Sequence, residues 1–175
     1  QYHSASVASH TCTFPSLCSK RKRKHLVVYL SMGFGNPYGD AFSEDLVFDY
    51  ATRLAQKEIN IISLADTVGI AQPEQVSQMT AYLVQALPHV EIGVHLHSTA
   101  QNWRDKVEAA YNAGCRRFDG ALKGIGGCPM AADDLVGNMD TEAMLHFFEA
   151  HAALPSINKA ALAESLQLAS RIFGL

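Results

Sequence analysis

At 175 residues, with 48% hydrophobic and 18% charged side chains, the chain is long enough for one domain with its own core, and its make-up is that of a globular protein rather than a tail or coat. A formal net charge of -3 gives no reason to expect a nucleic acid or an anionic membrane as partner, and no apolar run approaches the ~20 residues that a spanning helix needs. The four cysteines, Cys12, Cys18, Cys115 and Cys128, form no CxxC pair and show no regular spacing, so neither a disulfide framework nor a zinc knuckle is indicated and a reducing, cytoplasmic setting is expected, with the mitochondrial matrix as the eukaryotic alternative.

Residues 1–24 are rich in Ser, Thr, His and basic side chains, show no sustained apolar period and read as an irregular segment ahead of the domain formed by 25–175. The basic run 20–24, KRKRK, reads as a solvated linker, with a targeting or polyanion-binding patch as its rival. Residues 25–31 have the length and β-branched content of a buried strand and run into the turn Gly33-Phe34-Gly35-Asn36-Pro37. Ser43 is placed to cap a helix ending near Lys57, with Leu46, Val47, Tyr50 and Leu54 as its expected apolar stripe. The unit then repeats: strand 60–65 before Asp66-Thr67-Val68-Gly69 and helix 73–87 with Pro73 at its first turn, strand 91–96 before helix 101–113, and strand 116–122 before Gly124-Ile125-Gly126-Gly127. Helices over 141–151 and 158–173 complete the chain. A βα unit roughly every thirty residues implies a parallel sheet with right-handed crossovers, either a small open doubly wound sheet or half of an eight-stranded barrel.

Both architectures gather functional groups at the carboxyl ends of the strands. Here those ends carry Ser31, Asp66-Thr67, His95 with His97, and the loop 124–129. In EIGVHLHS, residues 91–98, the two histidines are two apart and share a strand face, so their imidazoles converge. They read either as hydrogen-bonded core histidines or as two ligands of a metal ion. Asp66, before Thr and Gly, suits an ordinary turn cap; Asn138 suits the region capping the helix near Thr141; Cys115, beside Gly114, reads as structural. Cys128, between Gly127 and Pro129, belongs to a loop rather than a packed helix face. His25, His89, His146 and His151 read as surface or helix residues without partners.

Taken in order and spacing, SLADTVG, VHLHST, GIGGCP and Gly137-Asn138 make the sequence from about His25 onward resemble the hydroxymethylglutaryl-CoA lyases of the metal-dependent lyase and acyltransferase barrel superfamily. The resemblance implies a partial (β/α)8 TIM barrel of about four βα units, corresponding to strands five to eight, that cleaves 3-hydroxy-3-methylglutaryl-CoA to acetyl-CoA and acetoacetate. It further implies that His95, His97 and Asn138 ligate a divalent metal, Mg or Mn, and that Cys128 serves in proton transfer. Asp66 is then expected beside the substrate, with Glu142 nearby. Cys128, Asp66 and His95 are the catalytic group that this resemblance names, an acyl-CoA thioester is the partner, and nucleic acid and membrane are not.

The superfamily's synthases, which condense acetyl-CoA with keto acids, follow their His-x-His pair with Asn-Asp and lack the glycine-cysteine loop. The Ser98-Thr99 that follows here and Gly127-Cys128-Pro129 favour a lyase. A non-catalytic fragment is the third reading, because no segment resembles the first barrel strand, whose Asp and Arg the lyases use. The start at Gln1 agrees with a fragment. A half barrel with unpaired edges is expected to be weakly active or inactive alone and to pair with a second copy or with a missing amino-terminal half.

Overall fold

Alternation of apolar strand segments with amphipathic helices builds one parallel sheet with helices against one of its faces. A computed structural model describes residues 24–127 and 136–174. The expectations for the first 23 residues and for Cys128 therefore lie outside the described residues. Strands β1 (Val28–Leu30), β2 (Ile61–Asp66), β3 (Glu91–Ser98) and β4 (Arg117–Asp119) lie side by side in sequence order, all parallel. Helices α1 (Glu44–Gln56), α2 (Pro73–Ala86) and α3 (Trp103–Asn112) connect them. A short 3-10 turn at Leu122–Gly124 leads on toward α4 (Thr141–Ala150), and α5 (Lys159–Phe173) follows.

The helix ends obey local chemistry. Ser43 is extended, and its hydroxyl accepts from the Leu46 amide at 3.1 Å, with Glu44 and Asp45 following in the first turn where the helix dipole favours acids. Pro73 stands at the start of α2, where its missing amide costs nothing. Gly174, at φ 70°, ends α5 in the left-handed conformation that a side chain disfavours.

Strand parity decides which side chains meet the helices. Ile62, Leu64, Ile92, Val94 and Leu96 are buried and pack with Val76, Met79 and Leu83 of α2 and Val107 and Ala110 of α3 into one core. The opposite sheet face carries two rows in register, Tyr29–Ser63–Gly93–Arg117 and Ala65–His95–Asp119. Gly93 belongs there because the Arg117 side chain lies across it, and a Cβ would stand 3.0 Å from that chain. No strand flanks the free sides of β1 and β4 among the described residues, so the sheet is open.

Three local expectations are corrected. In α1 the buried positions are Val47 and Ala51, while Leu46 and Tyr50 are exposed, so the stripe is rotated from the one read in the sequence. The fourth strand stops at Asp119, short of the expected residue 122, and Gly120 beyond it faces the Met139 carbonyl so closely that a Cβ would stand 2.7 Å from it. Asn138 does not cap a helix: Asp140 does, accepting from the Ala143 amide at 2.7 Å, and Gly137–Asn138 form a fifth, antiparallel strand (β5) against His97 and Ser98 that the sequence reading did not contain. No described helix is long and apolar enough to cross a membrane.

Candidate active site at the carboxyl rim

Parity and register place both histidines on the polar sheet face. The rings of His95 and His97 meet edge to face, with centroids 5.3 Å apart. β5 brings Asn138 opposite His97, so that His95, His97 and Asn138 line one hollow of about 400 Å³ together with Tyr29, Thr67 and Gly127. The three side chains expected to share a metal are thus neighbours around a single space.

Each is held in a defined way. His97 is buried, and its Nδ1 lies 2.8 Å from the Asp66 carbonyl oxygen. A carbonyl can only accept, so Nδ1 carries a proton, and in the neutral ring Nε2 is then the nitrogen with the lone pair. Asn138 donates through Nδ2 to the Ile125 carbonyl at 2.9 Å, which anchors the amide by its nitrogen and leaves its oxygen as the end suited to a cation. The loop that supplies this anchor needs glycine: Gly126 has φ 83°, and a Cβ on Gly127 would stand 2.9 Å from the Val136 carbonyl oxygen. Glu142 supports the same loop from below, accepting from the backbone amide of Lys123, itself in the left-handed region at φ 59°.

His95 has a different environment. Its Nδ1 is buried without a hydrogen-bond partner among the described residues, while Tyr29 lies edge-on to its ring at 5.7 Å. Burial and then the neighbouring His97 hold its pKa below the usual imidazole value, while Asp119 and Asp66 pull the other way more weakly, so the neutral, lone-pair-bearing ring is favoured. The Tyr29 hydroxyl donates to Asp119 Oδ2 at 2.9 Å, and burial followed by that hydrogen bond raises its pKa, keeping the phenol protonated. Tyr29 and Asp119 were missed in the sequence. The available signal was their place in the same alternation as the histidines, Asp119 on the neighbouring strand β4 and Tyr29 on β1, one strand further away.

The resemblance expects Asp66 beside the substrate. Parity turns its side chain to the helix side, where it is 1% exposed; Oδ2 accepts from Lys106 Nζ at 2.9 Å and Oδ1 from the Ala71 amide at 3.1 Å. Both oxygens are occupied and neither borders the histidine hollow, so the turn-cap reading describes its contacts better than a place beside the substrate. Lys106, missed because a lysine in a short helix reads as solvated, donates also to the carbonyls of Gly69 at 3.1 Å and His97 at 2.9 Å.

Other expectations can be placed. His25, His89 and His146 are exposed, but His151 has a partner, its Nδ1 lying 2.7 Å from the Phe147 carbonyl oxygen. Cys115 is buried, directs its thiol to the carbonyls of Arg117 and Ile92, and has a pKa raised to about 11, chiefly by burial. Native Cys115 is accordingly expected to resist iodoacetamide at pH 8 and to react once denaturant opens the core, as peptide mapping by mass spectrometry will show; ready labelling of the native chain would contradict its packing. A second cavity of about 440 Å³, beside Tyr111, Phe118, Met144 and Phe148, is larger but mainly apolar, and its Arg116 is engaged with the Tyr111 and Cys115 carbonyls. The smaller hollow is the one that both histidines line.

A cation fits the donor set in kind. Two imidazoles and an amide oxygen suit a divalent ion of borderline hardness, and the buried Nδ1 of His95 has no partner among the described residues. No group of three His, Cys, Asp or Glu side chains forms among the described residues, so any further ligands come from outside this set.

Known proteins share this arrangement of strands. The chain is 35% identical over 135 residues to (R)-citramalyl-CoA lyase of Chloroflexus aurantiacus, covering 77% of this chain and 42% of that protein. It is 33% identical over 118 residues to hydroxymethylglutaryl-CoA lyase of Pseudomonas mevalonii, covering 67% and 39%. The solved HMG-CoA lyase of Bacillus subtilis superposes with a TM-score of 0.81 at 26% identity, over 94% of this chain and 55% of that one. The HMG-CoA lyase of Acinetobacter baumannii, in complex with coenzyme A and 3-methylmalate, superposes with a TM-score of 0.76 at 29% identity, over 90% and 52%. The chain therefore spans roughly half the length of the proteins it matches, and its open sheet is a partial barrel of their kind. The family profile described as HMGL-like matches residues 21–169, nearly the whole described chain, and the protein belongs to that HMGL-like family.

Proposed function

We propose that this chain forms the carboxyl-terminal part of a CoA-thioester lyase barrel that cleaves 3-hydroxy-3-methylglutaryl-CoA to acetyl-CoA and acetoacetate, with Mg or Mn held in part by His95, His97 and Asn138. The observation that carries this reading is the convergence of those three side chains, from two βα units, on one hollow at the carboxyl rim. A divalent ion there supplies Lewis acidity toward the substrate's hydroxyl and carboxylate oxygens.

The chain's own residues account for the rest. His95, whose pKa is lowered chiefly by burial, offers a lone pair without repelling a cation, His97 stands beside it, and the amide oxygen of Asn138 completes a polar wall. Cleavage requires the tertiary hydroxyl proton to pass to a base while the carbon–carbon bonding pair moves onto the acetyl thioester. The resulting carbanion takes a proton to become acetyl-CoA. Asp66 is tied to Lys106 and Asp119 accepts from Tyr29, and neither carboxylate lines the hollow, so the base is a group outside this pair. Cys128 takes the role of proton donor in this reading, and Gly127, the residue before it, lines the hollow. The reading places the chain in the cytoplasm.

The likeness to a citramalyl-CoA lyase supports a second substrate, whose cleavage by the same bond change yields pyruvate instead of acetoacetate. With Mg or Mn added, concentrated chain is expected to release acetoacetate slowly from hydroxymethylglutaryl-CoA, and His95→Ala to stop it. Pyruvate from citramalyl-CoA in preference would decide for the second substrate. Metal-independent release, or none from either thioester even with a complementing amino-terminal half, would sink the lyase reading.

A further inference from the structure

Lys106 is the one lysine or arginine that is buried among the described residues, at 1% exposure. Removing an ammonium from water costs several kcal/mol, repaid only when every donor is matched. Here all three are: Asp66 Oδ2 at 2.9 Å, the Gly69 carbonyl at 3.1 Å and the His97 carbonyl at 2.9 Å. The acceptors are not scattered. Two bracket the turn after β2, and the third belongs to the second histidine of the hollow.

That turn is itself bound to the imidazole. The Asp66 carbonyl that receives His97 Nδ1 also receives the Gly69 amide at 3.2 Å, and the Asp66 carboxylate is pinned from its other side by the Ala71 amide. One ammonium on α3 therefore ties the backbone of His97 to the segment that orients its ring. We infer that Lys106 is a positioning residue of the candidate active site: through Asp66 and the His97 carbonyl it fixes His97 as the Nδ1–H tautomer with Nε2 directed to the hollow. The inference deepens the metal reading given above and rests on it for the ligand, while the tautomer itself can be read without metal. A purely structural ion pair would stabilise the fold but leave ring and tautomer unchanged when replaced by a well-packed neutral pair.

The test uses the whole chain with ¹⁵N-labelled histidine. Long-range ¹H–¹⁵N spectra of the wild type are expected to show His97 as a neutral Nδ1–H ring, and His151, bonded to the Phe147 carbonyl, serves as an internal control. In Lys106→Met, and in Asp66→Asn/Lys106→Met where no buried charge is left unpaired, His97 is expected to show a mixture of tautomers with His151 unchanged. Titration with Mn²⁺, followed by electron paramagnetic resonance, is expected to weaken about tenfold or more, the usual effect of losing an outer partner of a histidine ligand. A folded double variant that keeps the wild-type tautomer and Mn²⁺ affinity overturns the inference. So does a wild-type Nε2–H ring, and so does failure of both variants to fold, which would mark Lys106 as a strut of the sheet. A locked tautomer that Lys106→Met releases, in a chain that binds no Mn²⁺, would uphold the positioning role and defeat the metal reading instead.

Discussion

His97→Ala is expected to lower the affinity for Mn²⁺ on the order of 100-fold, while the exposed His89→Ala leaves it unchanged. Outer-shell losses alone cost 10- to 100-fold, so deletion of a ligand belongs at the top of that range. The substitution removes three things together: a lone pair in the hollow, the edge-to-face contact with His95, and the bond to the Asp66 carbonyl that orients the turn. It also leaves that carbonyl one donor short, at a cost of about 1–2 kcal/mol in stability. Mn²⁺ titration of both variants, with a melt beside each, separates the two effects. An affinity within twofold of the wild type would remove His97 from the set of ligands.

Leu64→Ala is expected to lower stability by about 3–4 kcal/mol, in the range found for emptied core leucine sites. Leu64 is fully buried in β2, flanked in register by Leu30 and Val94 and packed into the single core between sheet and helices. Main-chain pairing on both sides keeps β2 from collapsing into the void. For a chain of this length that loss corresponds to a melting temperature roughly 6–16 °C lower. An open sheet whose two edges are unpaired among the described residues has little stability to spare, so the variant is also expected to bind hydrophobic dye at temperatures where the parent does not. Leu168→Ala, at an exposed position of α5, should stay within about 0.5 kcal/mol of the parent. Equal melts for the two leucine variants would mean that the core is not where the structure puts it.

The two experiments probe different kinds of information. Strand and helix order, the parallel sheet and the shared face of His95 and His97 were legible in the chain, because periods of 2 and 3.6 residues are local properties. The caps at Ser43 and Pro73 were legible for the same reason, each residue acting on the turn beside it. The convergence of Asn138 with the histidines entered the sequence reading only through resemblance. No local pattern foretells that a two-residue strand will run antiparallel to β3, and here cross-strand hydrogen bonds make it.

Asp66 shows the limit most plainly. Its position at a strand end marked it as chemically capable, yet one step of parity and a lysine 40 positions along the chain turned its carboxylate to the helix side. Lys106, Tyr29 and Asp119 were invisible as a group, since a buried ion pair or a phenol–carboxylate bond exists only once distant segments are packed. What the sequence by itself determined was the set of repeating units and the rim on which their polar ends gather. Only the tertiary structure decided which polar groups face the hollow and which clamp it from behind, because hydrogen-bond partners are chosen by packing across strands and not by neighbours along the chain.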